Sequence, residues 1–123
     1  MISFKEIVIN NEKPVYIQLV EYIKKQIFLD KIQDGEEFPS RRELGGLLGI
    51  NPNTVQKAYK ELENQGLLNT SANVKSTVAV NEEIKERIRD ELKKEATLKH
   101  IEYLKSINLS FKEAIELLTE LWD

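Results

Sequence analysis

The sequence predicts a mainly α-helical fold with one small β-hairpin, arranged as a compact domain over residues 1–80 and a two-helix tail over residues 81–123. Three observations carry this. Apolar residues recur at helical spacing in five segments, each with a recognisable start or stop signal. Two short runs, Leu67-Leu68-Asn69-Thr70 and the β-branched-rich Ser76-Thr77-Val78-Ala79-Val80, read as strands around a turn at Ala72-Asn73-Val74-Lys75. Composition is that of a helix-rich globular chain: 123 residues, 32% charged and 41% hydrophobic.

The first helix is expected from about residue 15 to 31, opened by Pro14. Tyr16, Leu19, Ile23 and Ile27 form its stripe with Val20 beside it, while Lys24, Lys25 and Gln26 are expected outside. Before it, Ile7-Val8-Ile9 is a short β-branched piece. Gly35 and Pro39 fence the following loop, and Phe38 is its expected core anchor. Ser40-Arg41-Arg42-Glu43 is a capping box that starts a short second helix, with Leu44, Leu47 and Leu48 turned inward and Gly49 as its stop. Gly45 and Gly46 cost this helix roughly 1 kcal/mol each against alanine, for which close helix approach would be a compensation.

The third helix has both ends marked. Asn51 caps it, Pro52 suits its first position, and Gly66 can adopt the left-handed conformation that ends it. Val55, Ala58, Tyr59 and Leu62 form one buried stripe. Asn53, Lys57, Lys60 and Asn64 lie opposite, with Gln56 and Thr54 on the flanks. Amides and hydroxyls exchange hydrogen bonds with base edges, and lysines meet phosphates. An ordinary solvated helix face would look similar on this helix alone. The order of elements decides between them: a helix, a helix-turn-helix and a hairpin directly behind it form a winged helix-turn-helix.

Net charge is −3, so double-stranded DNA, the expected partner, must be met by a local patch. Residues 1–80 hold ten basic and ten acidic side chains, against eight and eleven in the tail. Arg41, Arg42, Lys57 and Lys60 against Glu43 supply the local excess. The chain has no cysteine, hence no disulfide framework, and no clustered metal ligands, nucleophile with a base or glycine-rich phosphate loop. No cofactor, metal site or enzymatic activity is expected. No apolar run is long enough to cross a membrane and no signal-peptide pattern opens the chain, so a cytoplasmic protein is expected.

In the tail, Asn81 caps a long helix led by Glu82 and Glu83, and Ile84, Ile88, Leu92 and Ala96 run down one side. Asn108 is its expected end, and Ser110-Phe111-Lys112-Glu113 is a second capping box. Phe111, Ala114, Ile115, Leu118, Leu121 and Trp122 then give the last helix a broad apolar face. Two helices cannot bury so wide a stripe between themselves. Either the first domain covers it, as a lid within one chain, or a second copy does. The copy is the expected cover because a helix-turn-helix reader usually needs two half-sites. This makes the tail a dimerisation region with Ile84, Ile88, Leu92, Phe111, Ile115, Leu118, Leu121 and Trp122 at the interface.

Phe38-Pro39-Ser40-Arg41-Arg42-Glu43-Leu44, Leu48-Gly49-Ile50-Asn51-Pro52-Asn53-Thr54-Val55 and Leu62-Glu63-Asn64-Gln65-Gly66-Leu67 together resemble the DNA-binding half of the GntR family of bacterial transcriptional regulators. Pro14-Val15-Tyr16-Ile17-Gln18-Leu19 and the Asn-Pro-Asn-Thr-Val wording resemble its YtrA-like branch, whose members carry a short helical tail. The resemblance covers residues 14–80, and the tail only by length and helicity. It implies that Arg42, with Arg41 beside it, and Asn51, Asn53, Thr54, Gln56 and Lys57 meet DNA, and that the target is a transporter operon.

Family wings usually carry glycine at the tip; here Asn73 stands instead, and Lys75 is the remaining charge. Asn73 and Lys75 complete the expected DNA-binding set. The expected function is a homodimeric repressor on an inverted-repeat operator, with no dedicated effector domain. The alternative is a winged-helix protein–protein adaptor that does not read DNA.

Overall fold

The computed structural model describes residues 2–70 and 75–123, in two compact units, 2–88 and 89–123. The first holds α1 (Val15–Phe28), α2 (Arg41–Leu48), α3 (Pro52–Asn64), β1 (Leu68–Asn69), β2 (Thr77–Val78) and the start of α4 (Glu82–Ser106). The mainly helical fold with a small antiparallel hairpin is therefore present.

The periodic stripes meet in one core. Leu19, Val20, Ile23 and Ile27 of α1 are buried, as are Leu44 of α2, all four stripe residues of α3, and Phe38 in the loop. Ile2 and Phe4, from the segment before α1, are buried too. Two inward–outward expectations fail. Gln26 is only 6% exposed. Asp30 takes a left-handed φ of 59°, which returns the Lys31 N–H to the Gln26 carbonyl at 2.9 Å and folds the chain back over the end of α1. Leu47, expected inward, is 69% exposed. Leu44 and Leu48 share the face of α2 that meets the core, one turn apart, and Leu47 faces the open N-terminal side instead.

The hairpin pairs Leu68 with Val78 and Asn69 with Thr77. It also gains an edge from residues 35–38, a segment expected to be a loop. Gly35 N–H donates to Val78 O, Val78 N–H to Glu36 O and Phe38 N–H to Ser76 O, at 2.8 to 2.9 Å. The β-branched Thr77-Val78 pair thus finds backbone partners on both sides. The proposed tip residue Asn73 lies outside the described residues.

The first unit continues past residue 80 because the start of α4 is tied to it. Asn81 Oδ1 accepts from Ile84 N–H at 2.8 Å, so the expected cap forms. Val80 N–H donates to Asp34 Oδ1, Lys85 pairs with Asp30, and Arg87 donates to the carbonyl of Gln65 at 2.7 Å. Ile88 is fully buried inside this unit. It cannot meet a partner subunit as expected, because the core of its own domain already encloses it.

The second unit contains the rest of α4 and α5 (Phe111–Leu121). Asn108 takes a φ of 59° at the turn, and Leu109 N–H closes on Leu104 O at 3.0 Å. Ser110 and Glu113 form the second capping box. No residue of α5 is buried, and Phe111 and Trp122 are each about four-fifths exposed.

Candidate nucleic-acid interface

The candidate site is built on the α2–turn–α3 unit. Ser40 Oγ accepts from Glu43 N–H at 3.1 Å while Glu43 reaches back to Ser40 N–H, so α2 starts on a closed capping box. It stops at Gly49, whose φ of 68° only glycine adopts without strain. Ile50 N–H then bonds back to Gly45 O at 2.9 Å, and this sharp return places Asn51 at the head of α3.

That return depends on Gly45. A Cβ there would lie 2.8 Å from the Ile50 carbonyl oxygen and 3.4 Å from Pro52. The close approach is thus between α2 and the turn backbone. Gly46 meets nothing within 4 Å, and packing offers no account of it.

The angle between the helices is pinned from within. Tyr59 of α3 donates its hydroxyl to Pro39 O at 2.6 Å, and its ring lies 5.3 Å from that of Phe38. Burial, with the Glu43 charge second, pushes its phenol well above the ordinary value, so Tyr59 stays neutral. It belongs to the core, as expected.

Among the described residues of the first unit, none covers the outer face of α3. Asn53, Gln56, Lys57, Lys60 and Asn64 are exposed, and Thr54 is half-buried on the flank. Asn51 Oδ1 accepts from Asn53 N–H at 2.8 Å, so its acceptor is already used in capping. Arg41 and Arg42 are exposed at the start of α2, and neither forms an ion pair among the described residues.

The lysines differ in what holds them. Lys60 lies 3.5 Å from Glu63 and Lys75 3.7 Å from Glu37, both exposed pairs of the kind that contribute little and yield readily to a stronger anion. Lys57 sits over the Tyr16 ring instead. Tyr16, expected on the buried stripe of α1, is half-buried, and helical periodicity alone could not show which α3 side chain it meets.

Two other features bound the chemistry. Among the described residues no group of three or more His, Cys, Asp or Glu side chains could hold a metal, and no helix is long and apolar enough to cross a membrane. An open concavity of about 700 Å³ lies between the N-terminal segment and the end of α2, lined by Ile2, Phe4, Ile7, Ile9, Leu47 and Leu48 besides Ser3 and Lys5.

The model of the gntR family of bacterial regulatory proteins matches residues 15–78. The chain is 35% identical over 91 residues to the HTH-type transcriptional repressor YtrA of Bacillus subtilis, covering 63% of this chain and 70% of that one. A GntR family transcriptional regulator from Listeria monocytogenes has a similar structure, with a TM-score of 0.80 at 26% identity over 92% of this chain and 99% of that one. The AraR DNA-binding domain, solved in complex with an operator, gives a TM-score of 0.54 at 29% identity, over 60% of this chain and 95% of that domain.

Proposed function

The chain belongs to the GntR family of bacterial regulatory proteins, a family of helix-turn-helix transcriptional regulators, and on that premise we propose that it acts as a cytoplasmic, homodimeric repressor on an inverted-repeat operator. The observation that carries this is the outer face of α3. It presents three amides and two lysines, with Thr54 on its flank, beside Arg41 and Arg42, which form no ion pair among the described residues.

Each subunit lays residues 52–60 in a major groove. Asn53 and Gln56 read base edges, where a good bidentate pair discriminates by about 1–3 kcal/mol. Arg41, Arg42, Lys57 and Lys60 meet phosphates, and Thr54 and the Asn51 amide support them at the helix start. Lys75, exposed between β1 and β2, adds a backbone contact once it leaves Glu37.

Dimerisation falls to the second unit. An eleven-residue helix with no buried residue does not persist on propensity alone. Phe111, Ile115, Leu118, Leu121 and Trp122 are all exposed on it, an apolar patch of the kind that marks an interaction surface. Ile84 and Leu92 are half-buried and can extend the contact, whereas Ile88 cannot. A helix-turn-helix reader gains its second half-site from such a copy.

The test is sedimentation across a concentration series, paired with binding to a selected duplex. The wild type should be a dimer, and Leu121→Asp a monomer whose operator affinity falls sharply. A wild-type chain that stays single at concentrations where it binds DNA would end this reading.

A further inference from the structure

Lys57 stands near the middle of the outward face of α3, and its ammonium lies 5.2 Å from the centroid of the Tyr16 ring at the start of α1. Tyr16 is half-buried on α1, which packs against α3, and its ring meets the lysine from across that packing. Among the described residues Lys57 makes no ion pair, unlike Lys60 and Lys75.

The difference matters chemically. A carboxylate partner neutralises an ammonium and must be displaced before a phosphate can bind. An aromatic face attracts the cation through its quadrupole, leaves the full charge in place, and takes no N–H donor from an incoming phosphate oxygen. It also removes rotamer freedom from a long side chain before DNA arrives, which lowers the ordering cost of binding.

We propose that Tyr16 is a positioning residue for DNA binding: its ring holds the Lys57 ammonium pre-ordered on the recognition surface, ready to meet a backbone phosphate. This rests on the reading of Lys57 as a phosphate contact.

The test has two arms. In the free protein, NMR should place the Lys57 ε-methylene protons upfield of those of the other lysines through the ring current of Tyr16. Tyr16→Phe should keep that displacement and Tyr16→Leu should abolish it. In binding, Tyr16→Leu should weaken specific and random duplexes alike by about two- to five-fold, with Tyr16→Phe unchanged. Combined with Lys57→Ala, Tyr16→Leu should add no further loss. Tyr16→Met, unbranched and better able to fill an irregular gap but without a π face, repeats the test should the leucine variant fail to fold.

An absent ring-current displacement overturns the proposal. So does a Tyr16→Phe variant as weak as Tyr16→Leu, which would make the hydroxyl itself the ligand. Losses that multiply in the double variant overturn it too. If the displacement behaves as stated but Lys57→Ala binds every duplex normally, the phosphate role of Lys57 is what fails.

Discussion

Gly45 and Gly46 are chemical twins, adjacent in α2, and alanine should affect them in opposite ways. Both substitutions remove the entropic penalty of a helical glycine, about 1 kcal/mol. At Gly46 a new Cβ meets nothing within 4 Å, so Gly46→Ala keeps that gain. Its melting temperature should rise by roughly 4–8 °C per kcal/mol for a domain of this size. At Gly45 the new Cβ sits 2.8 Å from the Ile50 carbonyl oxygen, a backbone atom that cannot swing aside as a side chain would. Overpacking of this kind costs about 1–3 kcal/mol. Because the propensity gain is common to both, the difference between the two variants isolates the clash. Urea unfolding should therefore find Gly45→Ala less stable than Gly46→Ala by about 1–3 kcal/mol at similar m-values. Relief requires Ile50 to move, and Ile50 leads directly into the Asn51 cap, so operator binding should weaken in Gly45→Ala and stay normal in Gly46→Ala. Equal stabilisation by both substitutions would refute the close-approach argument.

Other perturbations separate the remaining roles. Ser40→Ala breaks the capping box and should cost about 1 kcal/mol by thermal or urea unfolding; no loss would mean that α2 does not depend on its cap. Tyr59 ionises near pH 10 in the unfolded chain and higher when folded, so the unfolded state releases the proton first. Its contribution is full below pH 10 and declines as pH rises beyond, by at most about 1.4 kcal/mol per unit. Tyr59→Phe should lower stability by about 1 kcal/mol at neutral pH yet show a shallower alkaline decline, and parallel slopes would contradict the assignment. Lys57→Ala should weaken all duplexes similarly and reduce the salt slope by roughly one unit, whereas Asn53→Ala and Gln56→Ala should relax preference at particular base pairs.

Much of this was legible because end signals and stripes are local. Ser40, Glu43, Gly49, Asn51, Pro52 and Gly66 mark the helix-turn-helix in the chain itself, and Val55, Ala58, Tyr59 and Leu62 declare its inner side. By elimination the outer side of α3 followed. What escaped was set by contacts between distant segments. Leu47 is apolar but largely exposed, and Gln26 is polar but buried. The pairing of Gly35–Phe38 with β2 joins residues some forty positions apart, which no local pattern encodes. Ile88 lies on the tail's apolar row, yet the ties of Lys85 to Asp30 and of Arg87 to Gln65 draw it into the first unit. The Tyr16–Lys57 contact is of the same kind: each residue was conspicuous, but their meeting was not.

The central claim is that the outer face of α3 reads bases in two symmetric copies. Selection of bound sequences from a random duplex library, at a stated salt concentration and for both wild type and Gln56→Ala, tests it most directly. The wild type should enrich an inverted repeat whose half-sites are centred about 34 Å apart, or a multiple of that, and Gln56→Ala should lose preference at matching positions in both halves. A library that emerges without any enriched sequence would contradict the claim and favour a winged-helix adaptor that binds protein instead.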